Sequence, residues 1–508
     1  MHRIGEDCNI HRRPQLRQHS IVIHSIVIYL TPCHLLSSAA SIWSLELPVI
    51  LVLTLGGLMN RRDFIRRSSG ATTGALALRS GGRVLWASEP GRASVAPSDR
   101  VRVGVIGIGA RAQQDAYSFT VVPGVELVAA ADVYTDRLTR AKELFGETLA
   151  TAGDYRQILD RKDIDAVLIG TPDHWHKRIM VEAMESGKDV YCEKPMTYTI
   201  EEGFEIIDAQ KRTNRIVQIG SQWPDSPLTQ LAKKWIDEGR LGQITLIKSW
   251  ENRNTPAGAW FYPIAPDGNE KNIDWKTWLG SAPRCPFDPK RYFRWRCYWD
   301  YSGGLQTDLV VHHLNTVNFL MGQTGPQSAI TYGGSYRWKK IYPEAEVPDV
   351  VNTLFQYPNF SYNVSLTLNS SVEGFGTYVM GTKGTIQIDE VKMTFYPDHP
   401  LDDYGWVVAA WPEALQKEFV KKENIVGINQ PWAPGTCTAP EANEHYDIIG
   451  DPTDLHVKAF VESVRSRQPT LEGAEQGHNA AVGAHIANMS YRNGSCKVTW
   501  DGKQAKLV

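Results

Sequence analysis

One stretch limits what this chain can fold into more than any other: Arg102-Val-Gly-Val-Ile-Gly107-Ile108-Gly109-Ala110-Arg111-Ala112. Its first half is a short apolar run with the character of a buried strand, and residues 110 to 119 read as the helix that follows. Glycine at 107 permits a tight strand-to-helix turn. Glycine at 109 lets the backbone approach an anion at the positive end of the helix. Ala112 fills a third small position, where helix packs on strand. The next strand-like run, Val125 to Ala131, ends in Asp132, 25 residues after Gly107. A carboxylate there can accept hydrogen bonds from the ribose hydroxyls of a dinucleotide and repels a 2′-phosphate, so the expected cofactor is NAD, with NADP disfavoured.

From 101 to about 222, strand and helix signals alternate. Asp165 to Gly170, Asp189 to Cys192 and Ile216 to Gly220 read as strands; His174 to Gly187 and Ile200 to Thr213 read as helices. Such alternation means a parallel sheet with helices on both faces. After 223 the signals become strand-like segments at 243–250, 329–337, 350–357, 361–369, 375–380 and 385–389, the last two flanking a Gly381-Thr-Lys-Gly384 hairpin signal. The expected fold class is α/β. A doubly wound Rossmann domain spans 101–222, and an α+β domain with an open, mostly antiparallel sheet spans 223–508. The second domain is expected to bind substrate and to carry homo-oligomerisation. A Pro/Gly/Trp-rich stretch over 254–301 is too long for a simple connection and reads as a functional loop.

Lys+Arg 54 against Asp+Glu 56 leaves a net charge of -2, with no long run of one sign, so nothing points to a nucleic-acid partner or a polybasic membrane surface. Many of the 16 Trp and 20 Tyr lie between 250 and 301, where such rings line carbohydrate sites or simply pack a loop. The five cysteines after residue 100 include no C-x-x-C pair, so neither a disulfide framework nor a metal site is expected. Near the start, Asn60-Arg61-Arg62-Asp63-Phe64-Ile65-Arg66 precedes a weakly apolar stretch, Gly70 to Leu78, and resembles a twin-arginine export signal. Residues 59–100 are then signal and linker, and a periplasmic or otherwise extracytoplasmic location is expected. Residues 1–58 fit poorly ahead of such a signal and read as an upstream extension, with Met59 the expected start. A membrane helix over 39–58 is barely long enough and contains Glu46 and Pro48, so no stable membrane insertion of the mature chain is expected.

Two constellations carry chemistry. Glu193-Lys194-Pro195 stands at the end of the strand-like run Asp189–Cys192, and Glu193 lies 86 positions after Gly107. A lysine at such a strand end can reach a dinucleotide's reactive ring, which points to redox chemistry on a small hydroxylated molecule. The second constellation is Ser302-Gly303-Gly304-Leu-Gln-Thr-Asp308-Leu-Val-Val-His312-His313-Leu-Asn315, opening a helix to about Met321. Four residues separate Asp308 from His312, which places both on one helical face. A histidine there can take a hydroxyl proton as hydride leaves the same carbon, while the aspartate orients the imidazole or bonds a neighbouring hydroxyl. His313, one step round the helix, suits the core.

In this order, Gly107-x-Gly109, Thr171-Pro172-x-x-x-His176, Glu193-Lys194-Pro195 and Gly303-Gly304-x-x-x-Asp308-x-x-x-His312 resemble the Gfo/Idh/MocA oxidoreductases, relatives of glucose-fructose oxidoreductase and inositol dehydrogenase, over roughly 101–508. Thr171-Pro-Asp-His-Trp-His176, Val190-Tyr-Cys-Glu-Lys-Pro195 and Trp278-Leu279-Gly280 look like an exported branch of that family. The resemblance implies catalytic roles for Lys194, Asp308 and His312. It implies cofactor contacts from Gly107, Ile108, Gly109, Ala110, Arg111, Asp132, Thr171, Pro172, His176, Glu193, Lys194 and Gln222. Val310 and Asn315 depart from the family pattern, which has a small residue and an acid there, and are expected to alter the substrate side. The expected activity is NAD(P)-dependent oxidation of a sugar, cyclitol or related polyol. The alternative is an NAD-retaining glycosidase or lyase that oxidises a sugar transiently with no net redox. A sugar-binding module without catalysis is disfavoured by the intact Lys194, Asp308 and His312.

Overall fold

A computed structural model of the protein describes residues 82–87, 96, 99–398, 405–423 and 442–508; the upstream extension, the twin-arginine motif and the apolar stretch behind it lie outside them. The first strand, β1 (Gly82–Ala87), belongs to the second of two sheets. The first sheet is built from β2 (Val101–Ile106), β3 (Val125–Ala131), β4 (Ala150–Ala152), β5 (Ala166–Ile169), β6 (Asp189–Glu193) and β7 (Val217–Gly220). They pair in the order β4-β3-β2-β5-β6-β7, every pair parallel. Strands β5, β6 and β7 are buried at every residue, as strands covered on both faces are. The winding reverses between β2 and β5, which opens a crevice beyond their carboxyl ends, where Gly107 and Thr171 begin their loops.

Helices Asp173–Glu185 and Ile200–Thr213 contribute Ile179, Ala183, Ile206 and Ala209 to one apolar layer of this sheet. The other layer joins Ala112, Ala116 and Phe119 of the helix Ala110–Val121 to Val457, Phe460, Val461 and Val464 of Pro452–Ser466. That last helix returns from the far end of the chain. Phe460 is fully buried and meets Phe119 and Tyr191 edge to face, with ring centroids 5.9 and 5.7 Å apart.

The second sheet takes β1 together with β8 (Ile244–Asn252), β9 (Ser328–Gly334), β10 (Val350–Gln356), β11 (Ser361–Thr367), β12 (Phe375–Gly381), β13 (Gly384–Ile388), β14 (Lys392–Pro397), β15 (Glu444–Ile449), β16 (Val498–Trp500) and β17 (Ala505–Leu507). Among the described residues their order is β1-β15-β14-β13-β12-β8-β11-β10-β9-β16-β17, antiparallel except at β1 with β15 and β11 with β8. Residues of β10 and β11 alternate between buried and exposed, so one face is covered and the other open. The covered face packs Val351, Phe355 and Tyr362 with Leu314 and Val317 of the helix Val311–Met321 and Ala480 and Ala484 of Ala474–Arg492.

The expected α/β class with these two sheets is observed. The sheet is longer than expected at both ends. Strands β16 and β17 have three residues each, too few to show a period of two. Strand β1 lies in the stretch read as signal and linker, so the sheet reaches into it. The helix expected from residue 302 is not uniform either: Gln306–Val310 winds as a π-helical turn before Val311–Met321 becomes α-helical. Phe460→Ala is expected to lower unfolding free energy by about 3–5 kcal/mol, the usual loss for a buried aromatic ring. A thermal melt of the protein that does not shift would show that Pro452–Ser466 is not part of the first sheet's core.

Candidate active site

The glycine loop is shaped by close approach. Gly107 has φ +78°, and a Cβ there would come within 2.7 Å of Thr171 Cγ2 and 2.9 Å of its amide nitrogen. A Cβ on Gly170 would stand 2.6 Å from that of Ala112, so small residues at both positions let helix and sheet touch. Beside the loop lies an open cleft, with about 530 Å³ of empty space counting open solvent, whose walls include Gly107, Asp132, Arg137, Thr171, Pro172 and Trp278. Asp132 Oδ1 accepts a hydrogen bond from the Tyr134 amide at 3.0 Å; Oδ2 has no hydrogen bond and lies 3.5 Å from Arg137 Nη1. Thr171 Oγ1 is also buried without a partner. Polar atoms without a hydrogen bond at these two strand ends, beside a turn at Gly107 with no room for a Cβ, fit a dinucleotide: Asp132 toward its ribose, Gly107 and Gly109 toward its pyrophosphate.

The long loop 254–301 roofs this cavity. Thr135 donates to the Asn272 carbonyl at 3.0 Å, and Asp274 donates to that of Val133 at 2.9 Å. Trp175 Nε1 donates to the Trp278 carbonyl at 2.7 Å, with His174 Nε2 3.1 Å from the same oxygen. Many of the loop's aromatic rings pack on one another, as Trp275 does on Trp278 at 4.8 Å, while Trp278 and Tyr292 also line the cavity.

Several other expected contacts brace the site from behind. Glu193 accepts from Arg111 Nε at 3.2 Å, from Gln222 Nε2 at 3.3 Å and from the Lys194 amide at 3.2 Å. Burial works against its charge, but Arg111 and Lys194 outweigh it and hold the carboxyl below its ordinary range. Arg111 also pairs with Asp115 at 2.8 Å; burial and the nearby Glu193 push that carboxyl well up. His176 has its ring nitrogens 2.7 Å from the Pro195 carbonyl and 2.9 Å from that of Thr171. Burial pulls its pKa down while the two carbonyls oppose that, and the ring lies between the Thr171 loop and the Glu-Lys-Pro turn.

Lys194 and Asp308 meet. Lys194 Nζ donates to the Asp308 carbonyl at 2.5 Å and to Oδ1 at 2.9 Å. Arg296, which carried no expectation, donates to the same Oδ1 from Nε at 2.9 Å. Burial alone would raise the Asp308 pKa, but the two cations hold the carboxyl far below its usual range. His312 is held well below 6.5 by burial first and then by the Lys194 charge. Its Nδ1 is buried without a hydrogen bond. Asp308, expected to orient this imidazole or to bond a neighbouring hydroxyl, accepts its hydrogen bonds from the two cations. Trp223 holds the ring instead, stacked on His312 at 5.2 Å and 28° and on Phe375 at 5.7 Å and 12°. Its Nε1 donates to Glu390 at 2.8 Å.

His313 is fully buried, with Nε2 3.4 Å from Glu251 Oε2, in line with the core reading. Val310 is fully buried as well. The expectation for Asn315 needs correction. It donates to Glu472 at 2.5 Å in the interior, where the segment that leads into Ala474–Arg492 takes up its amide.

Comparison with known proteins is decisive at this point. The profile of the Gfo/Idh/MocA oxidoreductase family, NAD-binding Rossmann fold, matches residues 101–221, and that of the family's C-terminal alpha/beta domain matches 281–499. The chain belongs to the Gfo/Idh/MocA oxidoreductase family. Among its curated relatives, levoglucosan dehydrogenase of Pseudarthrobacter phenanthrenivorans is 27% identical over 289 residues, 53% of this chain and 67% of that protein. A glycosyl hydrolase family 109 protein of Shewanella baltica is 35% identical over 174 residues, 31% of this chain and 38% of that one. Solved structures share the fold. Levoglucosan dehydrogenase with NADH and levoglucosan superposes at TM-score 0.57 and 18% identity, covering 79% of this chain and 99% of that one. Aldose-aldose oxidoreductase from Caulobacter crescentus, complexed with glycerol, gives 0.57 and 18% over 79% and 100%.

This Gfo/Idh/MocA member is therefore an NAD-binding oxidoreductase. Asp132→Ala is expected to weaken NAD binding by about 1–3 kcal/mol, the worth of the hydrogen bonds to one ribose. It should also improve NADP binding, because Arg137 loses its carboxylate partner and is free for a 2′-phosphate. Calorimetric titration with both cofactors checks this; equal NAD affinity in the two proteins would remove Asp132 from the site.

Proposed function

We propose that the enzyme oxidises a hydroxyl of a sugar, cyclitol or related polyol, with Lys194 and His312 at the reacting oxygen. The observation that carries this reading is the pairing of Lys194, at the end of a Rossmann strand, with Asp308 of the second domain, one helical turn from an uncharged His312. NAD, when bound, supplies the hydride acceptor. Lys194 donates to the substrate oxygen and stabilises negative charge on it. His312 is neutral, so it can accept the hydroxyl proton. Asp308 keeps the lysine aimed, and Trp223 keeps the imidazole from rotating. Relatives named for levoglucosan and inositol support a polyhydroxyl substrate.

A redox-neutral variant is favoured by one feature, the roof of 254–301 over the cofactor cavity. Its backbone hydrogen bonds to Val133 and Thr135 oppose exchange of the dinucleotide between turnovers. An enzyme that returns its hydride within each cycle has no need of exchange, and the resemblance to glycosyl hydrolase family 109 proteins supports the same variant. Incubation with a sugar and glycoside panel separates the two. Accumulating reduced-nicotinamide absorbance marks net oxidation, whereas product released without it marks transient oxidation.

Lys194→Ala and His312→Ala are each expected to lower turnover by about 10²–10⁴-fold with NAD still bound. The double variant should be little worse than the poorer single one, since the residues act as a unit. Because His312 is protonated only below 6.5, kcat/KM should hold as pH falls through that value and be lost at lower pH. A His312→Ala turnover within about threefold of wild type would return this histidine to the core.

Export by the twin-arginine route, read from Asn60–Arg66, belongs to the same proposal. Replacing Arg61 and Arg62 with lysine should leave the protein in the cytoplasm, and a chain starting at Met59 should be exported as well as the full one. Fractionation of expressing cells checks both, and export of the double-lysine variant would refute the signal.

A further inference from the structure

The substrate side of the site carries more positive charge than its catalytic roles require. Arg296 comes from the loop 254–301 and reaches Asp308 through Nε alone. Its terminal nitrogens, Nη1 and Nη2, make no hydrogen bond to any described residue, yet neither is among the buried polar atoms left without a partner, so both reach solvent. The guanidinium lies over the Trp295 ring with its central carbon 4.1 Å from the centroid, a cation–π contact that helps hold the side chain in place. Its side chain is 20% exposed, against 11% for Lys194 and 8% for Asp308, so the free fork is more open than either of the groups it joins. A second arginine, Arg253, lies within the electrostatic reach of Asp308 and pairs with Glu251, which also faces His313.

Three cations, Lys194, Arg296 and Arg253, therefore meet two ionised carboxylates, Asp308 and Glu251, while Glu193 beside Lys194 is matched by Arg111. A third carboxyl, Asp173, is buried behind them, and burial raises it to about 7, so near neutrality it offsets only part of the surplus. His312 adds no charge. A neutral sugar closing over this cleft would strand a desolvated cation, which is costly, whereas an anion would complete it. The free group is a planar fork, whose two parallel N–H donors match a carboxylate or phosphate. The surplus is about one charge, which suits a monoanion better than a phosphate carrying −1.5 to −2.

We propose that Arg296 is a specificity-determining residue and that the substrate is an acidic sugar, a uronic or aldonic acid whose carboxylate is held by its two free nitrogens. This rests on the dehydrogenase reading above and narrows its substrate class.

The test is calorimetric binding to the NAD-loaded protein of matched pairs: D-glucuronate against D-glucose, D-galacturonate against D-galactose, and D-glucose 6-phosphate as the dianionic control. At least one uronate should bind at least about tenfold tighter than its neutral partner, as a charge-assisted bidentate pair warrants, and should weaken with added salt. Arg296→Lys keeps a charge beside Asp308 but loses the fork. It should weaken the acid at least about tenfold while changing the neutral sugar by less than about threefold. Equal or tighter binding of the neutral partner, preference for the phosphate, no binding of any acid, or an equal loss for both members in Arg296→Lys would each overturn the proposal. Acids that bind with the stated preference but are never oxidised would sink the dehydrogenase reading and leave this one standing.

Discussion

The charge of Lys194 is the constraint on which the rest depends. An ammonium mostly out of water is tolerable only with a partner and hydrogen bonds around it, and the first sheet supplies neither in the right place. Its partner, Asp308, comes from a helix start packed on the other sheet. The two sheets must meet for this lysine to be stable, and where they meet is where a substrate oxygen can sit. Arg296 adds a second cation to the same carboxylate oxygen, so the pair is held from the roof as well as from below.

Next to this charged cluster stands a histidine that carries no charge. Burial and the adjacent lysine set its basicity, while Trp223 sets its orientation by stacking. The usual carboxylate–imidazole arrangement is split here: the carboxylate serves the lysine, and an aromatic ring serves the histidine. The π-helical turn at Gln306–Val310 sits at this division. Winding wider than an α-helix changes the register of Asp308 relative to the helix that carries His312.

The first sheet, apart from the three-residue β4, was legible in the sequence because its signals are local. Glycines that no Cβ could replace, apolar strands of four to seven residues and an acid at a strand end each declare themselves within a short window. Lys194, Asp308 and His312 were legible for the same reason, as short motifs with fixed spacing. Arg296 and Trp223 were not. One lies in a loop whose aromatic residues have no period, the other in a three-residue turn after β7, and each matters only through a neighbour distant in the chain. Asn315 was misread because its helix face was inferred from a pattern, when Glu472 decides where it points.

The return of Pro452–Ser466 to the first sheet has a consequence in time. Translation delivers the glycine loop early, but the apolar surface around Phe119 and Tyr191 stays bare until nearly the whole protein has left the ribosome. A nascent chain therefore holds an unfinished nucleotide cradle with a sticky flank, the kind of surface that chaperones shield. A chain cut short before this helix would leave that apolar flank bare and would be an aggregation hazard instead of a smaller enzyme.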